Sequence, residues 1–255
     1  MNKTIDLNCD MGEGMPNDEA IMPYISSANI ACGFHAGDKD TMKRTIELCL
    51  RFKVAIGAHP SFLDRENFGR SDMMQKGVQL KEIPNLIAEQ VYAFKNICDE
   101  MGASIHHVKP HGALYNRAVW DKELAETICA SVYNVDKLFK FYGLAHGHMK
   151  DAALNLGLTY VAEAFADRTY QEDGSLTPRS QTFALIENPH QALAQAIQMV
   201  QNKMVPTVSG KSIFIDAQTL CLHGDGLHAT SFAKNIYKHL KQNNIDIQAS
   251  EKVRG

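Results

Sequence analysis

The sequence points to a closed parallel α/β barrel, on three grounds. Short apolar runs alternate with amphipathic helical patterns from one end of the chain to the other. Seven such runs are spread over 255 residues, a length ordinary for a (β/α) barrel. Ionisable residues collect just after the apolar runs, as they do where the C-terminal ends of barrel strands share one face. Strand–helix alternation gives a parallel sheet, and seven strands over this length favour closure over an open doubly wound sheet.

The first run is TIDLN (4–8), followed by a Gly-, Pro- and Asp-rich loop over 10–24. SANIAC (27–32) follows, and Asp38 stands where a helix over 40–52 needs its N-cap. VAIGAH (54–59) leads into a second long loop, 60–80. Over 82–101, Ile83, Leu86, Ile87, Val91, Phe94, Ile97, Cys98 and Met101 recur at three- and four-residue steps, and Gly102 supplies a stop. SIHHVK (104–109), a helix over 121–132, FKFYGL (139–144) and TYVAEAF (159–165) continue the alternation. After the loop 166–188 come a helix over 190–201, the runs SIFID (212–216) and TLCLH (219–223), and a helix over 230–241. The barrel runs are apolar on both faces or nearly so, as expected of strands covered by helices. No linker or low-complexity tract divides the chain, so 1–255 reads as a single domain.

Composition narrows the function classes. Hydrophobic residues are 45% and charged residues 22%, enough to bury a large core, and a formal net charge of −3 gives no electrostatic case for nucleic acid. The polar opening MNKTIDLNCD is not a signal peptide and no apolar run approaches membrane-spanning length, so a cytoplasmic protein without a membrane partner is expected. Six cysteines without a CxxC pair fit a reducing compartment.

The strand ends carry the chemistry. Asp10 and Glu13 follow the first run, His35 and Asp38 the second, and His59, Asp64, Arg65 and Arg70 the third. Lys109, His111, Tyr115 and Asn116 follow the fourth; Glu163, Asp167, Arg168 and Tyr170 lie in or after TYVAEAF; His223 and Asp225 close the series. A parallel barrel brings these dispersed groups to one face. Three specific readings fare differently. His107 and His111 give HxxxH, but Pro110 interrupts it and no metal ligand set is assigned. SGKS (209–212) resembles the tail of a phosphate loop, yet Val205 occupies the first glycine position and the segment precedes a strand. Cys9, Cys32 and Cys221 sit within apolar strand ends and are expected to face the wall, against a cysteine nucleophile. In Ile30–Asp38, IACGFHAGD, the glycines are expected to keep the loop low for ligand to approach.

DLNCDMGEG (6–14), ISSANIACGFHAGD (25–38), IGAHPSFLDRENFGR (56–70), VKPHGALYN (108–116), EAFADRTYQEDGSLTPR (163–179) and LCLHGD (220–225) together resemble the LamB/YcsF family, over about residues 4–240. The resemblance implies a distorted seven-stranded (β/α) TIM-like barrel of the glycoside hydrolase/deacetylase type. It also implies the role of the A subunit of an ATP-dependent 5-oxoprolinase, which opens the lactam of 5-oxo-L-proline to L-glutamate with ATP hydrolysed to ADP and phosphate. ATP with Mg2+ would be the cofactor and the PxpB and PxpC subunits the partners; self-association is left open. Such a site must hold a carboxylate, stabilise a phosphorylated, oxyanionic centre and activate water. On that basis Asp10, Glu13, His59, Lys109, His111 and Glu163 are the catalytic candidates, and Asn8, Asn29, His35, Arg65, Tyr115, Arg168 and His223 the substrate-binding ones. Lys109 suits the phosphoryl or oxyanion group, Arg168 the substrate carboxylate, and Asp10 or His111 the base. Two positions depart from the family pattern: Gly226-Leu227 follows Asp225 where Thr-Pro is usual, and Ser71 follows Arg70 where a second Arg is common. Two rival readings stay open: a metal-dependent, carbohydrate deacetylase-like hydrolase, and a substrate-binding subunit without chemistry of its own.

Overall fold

The computed structural model of the chain describes residues 3–224 and 229–250. In order, the elements are β1 (Lys3–Met11), α1 (Asp18–Ile21), β2 (Ser27–Ala31), α2 (Lys39–Phe52), β3 (Ala55–His59), α3 (Ile83–Glu100), β4 (Ile105–Val108), α4 (Gly112–Ala118) and α5 (Lys122–Val135). They continue with β5 (Lys140–Leu144), α6 (His148–Asn155), β6 (Thr159–Phe165), α7 (Pro189–Asn202), β7 (Met204–Pro206), β8 (Ser212–Phe214), β9 (Thr219–Leu222), α8 (Ala229–Gln242) and β10 (Ile245–Ile247).

Seven of the strands close a parallel barrel in the order β1-β2-β3-β4-β5-β6-β9, with β9 returning to β1. The seven barrel runs read from the sequence are these strands, and the helices over 40–52, 82–101, 121–132, 190–201 and 230–241 agree with α2, α3, α5, α7 and α8 to within a few residues at each end. SIFID is the exception: β8 pairs antiparallel with β7 in a two-stranded ribbon outside the barrel. β10 carries no readable periodicity in three residues, yet it shares the edge of β1 with β9. Lys3–Ile5 pair with Ile245–Ile247, and Asp6–Cys9 pair with Thr219–Leu222.

The helices form where caps and apolar stripes agree. Asp38 caps α2 by accepting from the Thr41 amide at 2.8 Å, and Asp121 and Asn188 cap α5 and α7 in the same way, each such cap contributing about 1 kcal/mol. Ile46 and Cys49 of α2, Ile87, Val91 and Phe94 of α3, and Ile128 and Val132 of α5 are buried against the outward faces of the strands, where Leu7, Ile30, Ile56, Val108 and Phe141 are also buried. The apolar core is thus the shell between barrel and helices. Among the described residues no helix is long and apolar enough to cross a membrane.

The barrel interior departs from the expectation of apolar strands on both faces. Period-two alternation sends Asp6, Asn8 and Asp10 of β1 inward while Ile5, Leu7 and Cys9 pack outward. Inside, Thr219 and Tyr142 donate to Asp6 Oδ2 at 2.7 and 3.0 Å, and Ser27 donates to Asp6 Oδ1 at 2.8 Å. No buried side-chain polar atom among the described residues lacks a partner, so this polar filling is compatible with burial.

Candidate active site

Hydrogen bonds through the barrel lead to its C-terminal face. His106 Nε2 lies 2.8 Å from Lys140 Nζ and 3.0 Å from the Ser250 carbonyl oxygen, and its Nδ1 lies 3.1 Å from His107 Nδ1. His107 then donates from Nε2 to Asn29 Oδ1 at 2.7 Å, and the Asn29 amide donates to Asn8 Oδ1 and Asp10 Oδ1 at 2.7 and 2.8 Å. Asn8 passes its amide protons to Glu163 Oε1 and Thr219 Oγ1. His107 has room because β3 carries Gly57 beside it: a Cβ there would meet His107 Nε2 at 2.1 Å.

Lys109 sits above this layer, 2% exposed. Its ammonium lies 2.9 Å from Asp10 Oδ1, 2.8 Å from Glu163 Oε1, 3.2 Å from Asn8 Oδ1 and 3.2 Å from Cys221 Sγ. Burial opposes its charge, but the Asp10 and Glu163 carboxylates outweigh burial and hold its pKa well above the ordinary lysine value. Burial likewise works against the Asp10 carboxylate, and His59 and Lys109 overcome it, holding Asp10 well below the usual range. Tyr115 donates to Glu163 Oε2 at 2.8 Å. The centre is therefore a fixed cation between two anions, with its hydrogen bonds already made.

Beside it stand three histidines. His59 and His111 approach through Nε2 and Nδ1 at 2.9 Å, and His35 stacks on His111 with centroids 3.8 Å apart. His35 Nε2 is 3.1 Å from Glu13 Oε1. Burial, reinforced by His59, pushes His35 down to about 3; burial, then His59 and His35, pushes His111 well below its ordinary value. Both rings are neutral at physiological pH.

The structure brings most of the predicted site together. Asp10, Glu13, His59, Lys109, His111, Tyr115, Arg168 and His223 line a cavity of ≈ 1300 Å³. Asn8, Asn29, His35 and Glu163 stand behind that lining, bonded to its members. Arg65 is not gathered in: it is exposed and donates to the Gly33 carbonyl at 2.9 Å. The guanidinium of Arg168 is buried and donates to the Ala184 and Thr177 carbonyls at 3.2 and 2.6 Å, tying down the 166–188 loop. Asp225 lies outside the described residues.

Three details differ from the sequence reading. Cys221 faces inward, because β9 alternates Thr219, Cys221 and His223 toward the interior; burial raises its thiol pKa well above the ordinary value, so it is no thiolate. Cys32 does face the wall, its thiol pushed up to about 12 by burial. The tight loop at Gly37 answers a neighbouring chain segment rather than open space for ligand: φ is +73° and a Cβ would meet the Gly12 carbonyl oxygen at 2.6 Å. Arg179 was missed as a single residue, although it ends one of the quoted motifs. It lines the cavity with Nη2 3.1 Å from His223 Nε2.

His223 also meets Asp167, Nδ1 to Oδ2, at 2.7 Å. Burial disfavours both charges, but each partner outweighs it, raising His223 above 6.5 and lowering Asp167 below 3.8. The histidine's contribution to stability is full below 6.5 and is lost as pH rises through its higher folded value. The aspartate's is full above 3.8 and is lost as pH falls through its lower folded value. Asp167→Asn is therefore expected to cost about 1–3 kcal/mol between roughly pH 4 and 6.5 and less in alkaline solution, where His223 has lost its charge and only the Arg168 and Arg179 contributions to Asp167 remain. Melting temperatures across that range check this; a constant difference at all pH values would contradict it.

The sequence model of the LamB/YcsF family matches residues 5–255. A Bacillus cereus (strain B4264) protein, named as the A subunit of 5-oxoprolinase, is 46% identical over 253 residues, covering 97% of this chain and 99% of its own. The crystal structure of a lactam utilization protein from Thermus thermophilus superposes with a TM-score of 0.89 at 34% identity, covering 97% of this chain and 100% of that one. The catalytic domain of a peptidoglycan N-acetylglucosamine deacetylase from Eubacterium rectale shares the fold, with a TM-score of 0.53 at 11% identity over 99% of this chain and 90% of that one.

Proposed function

The chain belongs to the LamB/YcsF family, and from that premise we propose that it is the A subunit of an ATP-dependent 5-oxoprolinase, acting in the cytoplasm with PxpB and PxpC. The reaction opens the lactam of 5-oxo-L-proline to L-glutamate and hydrolyses ATP to ADP and phosphate. ATP enters as a substrate with Mg2+ on its phosphates, and no residue is assigned to that ion.

One observation carries the chemistry: the Lys109 ammonium, fixed at the cavity floor between Asp10 and Glu163. A lactam carbonyl gains negative charge on oxygen as it is phosphorylated or attacked, and a preorganised cation in a dry site favours that charge more than the neutral ground state. Asn8, Asn29 and Tyr115 hold the two carboxylates in place around it. Because Arg168 is engaged by loop carbonyls, we assign the substrate carboxylate to Arg179, which lines the same cavity beside His223. A volume of ≈ 1300 Å³ exceeds the roughly 300–1,000 Å³ of pockets for one small ligand, which supports two substrates side by side.

The test is glutamate release from 5-oxo-L-proline and ATP by this chain alone, by PxpB with PxpC, and by all three. Release only from the complete mixture is expected. No release from any mixture overturns the proposal, and release without this chain removes it from the chemistry.

A further inference from the structure

The two histidines at the cavity floor have their proton positions set by the backbone. His59 Nδ1 lies 2.6 Å from the Lys109 carbonyl oxygen and His111 Nε2 lies 2.9 Å from that of Phe68. A carbonyl only accepts, so both ring nitrogens must donate, and in the neutral ring the other nitrogen is a lone pair. The remaining ring nitrogens, His59 Nε2 and His111 Nδ1, point at each other across 2.9 Å. Asp10 Oδ2 stands 3.4 Å from the first and Glu13 Oε1 3.7 Å from the second. One atom from each of the four residues lies within 4.8 Å of all the others, and both imidazoles are buried.

Two imidazole nitrogens and two carboxylate oxygens converging on one point form the donor set of a cation site. A proton shared by the two nitrogens would bridge only them, since Asp10 Oδ2 and Glu13 Oε1 stand 3.4 and 3.7 Å away, the Glu13 oxygen also meeting His35 Nε2 at 3.1 Å. A divalent cation serves all four. We propose that Asp10, Glu13, His59 and His111 form a binding site for one transition-metal dication of the Zn2+ or Mn2+ kind. Two imidazole nitrogens favour such an ion over Mg2+ or Ca2+, which prefer all-oxygen shells, and two carboxylates balance its charge.

The outer partners fit the same role. Carbonyl acceptors fix the tautomer of each histidine, and Lys109 and Asn29 occupy Asp10 Oδ1, leaving Oδ2 directed at the cluster. The ligands come from β1, the loop after it, the end of β3 and the segment after β4, so no spacing motif announces them. An ion there would polarise a carbonyl oxygen or lower the pKa of a bound water beside the Lys109 ammonium.

The test reads binding rather than turnover, so it stands or falls separately from the lactam reaction. Chelator-stripped full-length chain is titrated with ZnSO4 or MnCl2 by calorimetry, and retained metal is counted by atomic emission after gel filtration. One ion per chain is expected. Glu13→Gln and His59→Ala should each weaken binding about 100-fold or more, given that loss of an outer partner alone costs roughly 10–100-fold. His146→Ala, outside the cluster, should bind as the parent does, with circular dichroism confirming the fold of each variant. If His59→Ala does not fold, Glu13→Gln decides. No uptake by the stripped parent, or uptake undiminished in Glu13→Gln, overturns the site and leaves the shared proton.

Discussion

Lys109→Met is expected to abolish the glutamate release proposed for the assembled enzyme and to cost the chain about 3–5 kcal/mol of stability. Methionine replaces most of the stem volume but none of the charge. Asp10 and Glu163 would then face each other through a buried space without the ammonium that now lies 2.9 and 2.8 Å from their oxygens. Breaking one side of a buried ion cluster costs far more than the cluster contributes net, because the surviving charge stays desolvated. Urea denaturation measures the loss. Adding Glu163→Gln to Lys109→Met should restore part of the stability, since one uncompensated carboxylate disappears, but none of the activity. The catalytic loss should be at least roughly 100–1,000-fold, the scale of losing one preorganised donor to an oxyanion. Undiminished turnover would remove Lys109 from the mechanism, and equal stability of the single and double variants would deny the electrostatic account of the floor.

Gly57→Ala is expected to destabilise the barrel by about 3 kcal/mol, the upper end of what overpacking usually costs. The added methyl would fall 2.1 Å from His107 Nε2, and the ring cannot easily retreat: it stacks on Tyr142 with centroids 3.9 Å apart and donates to Asn29 at 2.7 Å. Moving it would also loosen Asn29 and, through it, Asp10. The discriminating measurement is a double-mutant cycle. Gly57→Ala combined with His107→Ala should be more stable than the two single losses predict by addition, because the clash exists only when both side chains are present. Strict additivity would mean that Gly57 matters for another reason.

The parts of the site differed in how readable they were. Asp38 as the cap of α2 and the apolar stripe of α3 are local facts, determined within one or two helical turns. The gathering of Asp10, His59, Lys109, His111 and His223 at one end followed from parallel alternation, because every strand of such a barrel ends on the same side. Cys221 was misplaced because its apolar neighbours, Leu220 and Leu222, masked the alternation that aligns it with Thr219 and His223. Arg65 and Arg168 looked alike as cations after strands. Only packing distinguished an exposed side chain on the Gly33 carbonyl from a buried guanidinium holding a loop.

The order of residues was enough to say which segments become strands and helices, that they form a parallel barrel, at which end the ionisable residues gather, and which family the chain resembles. Those properties depend on short-range periodicity and on the succession of motifs, both written in one dimension. Folding in three dimensions was needed to make the barrel interior a connected polar lattice, to catch Lys109 between Asp10 and Glu163, and to turn His59 Nε2 and His111 Nδ1 on each other. These are distances between atoms of residues 52, 54 and 99 positions apart. Such distances follow from barrel closure and strand register, which no local pattern encodes.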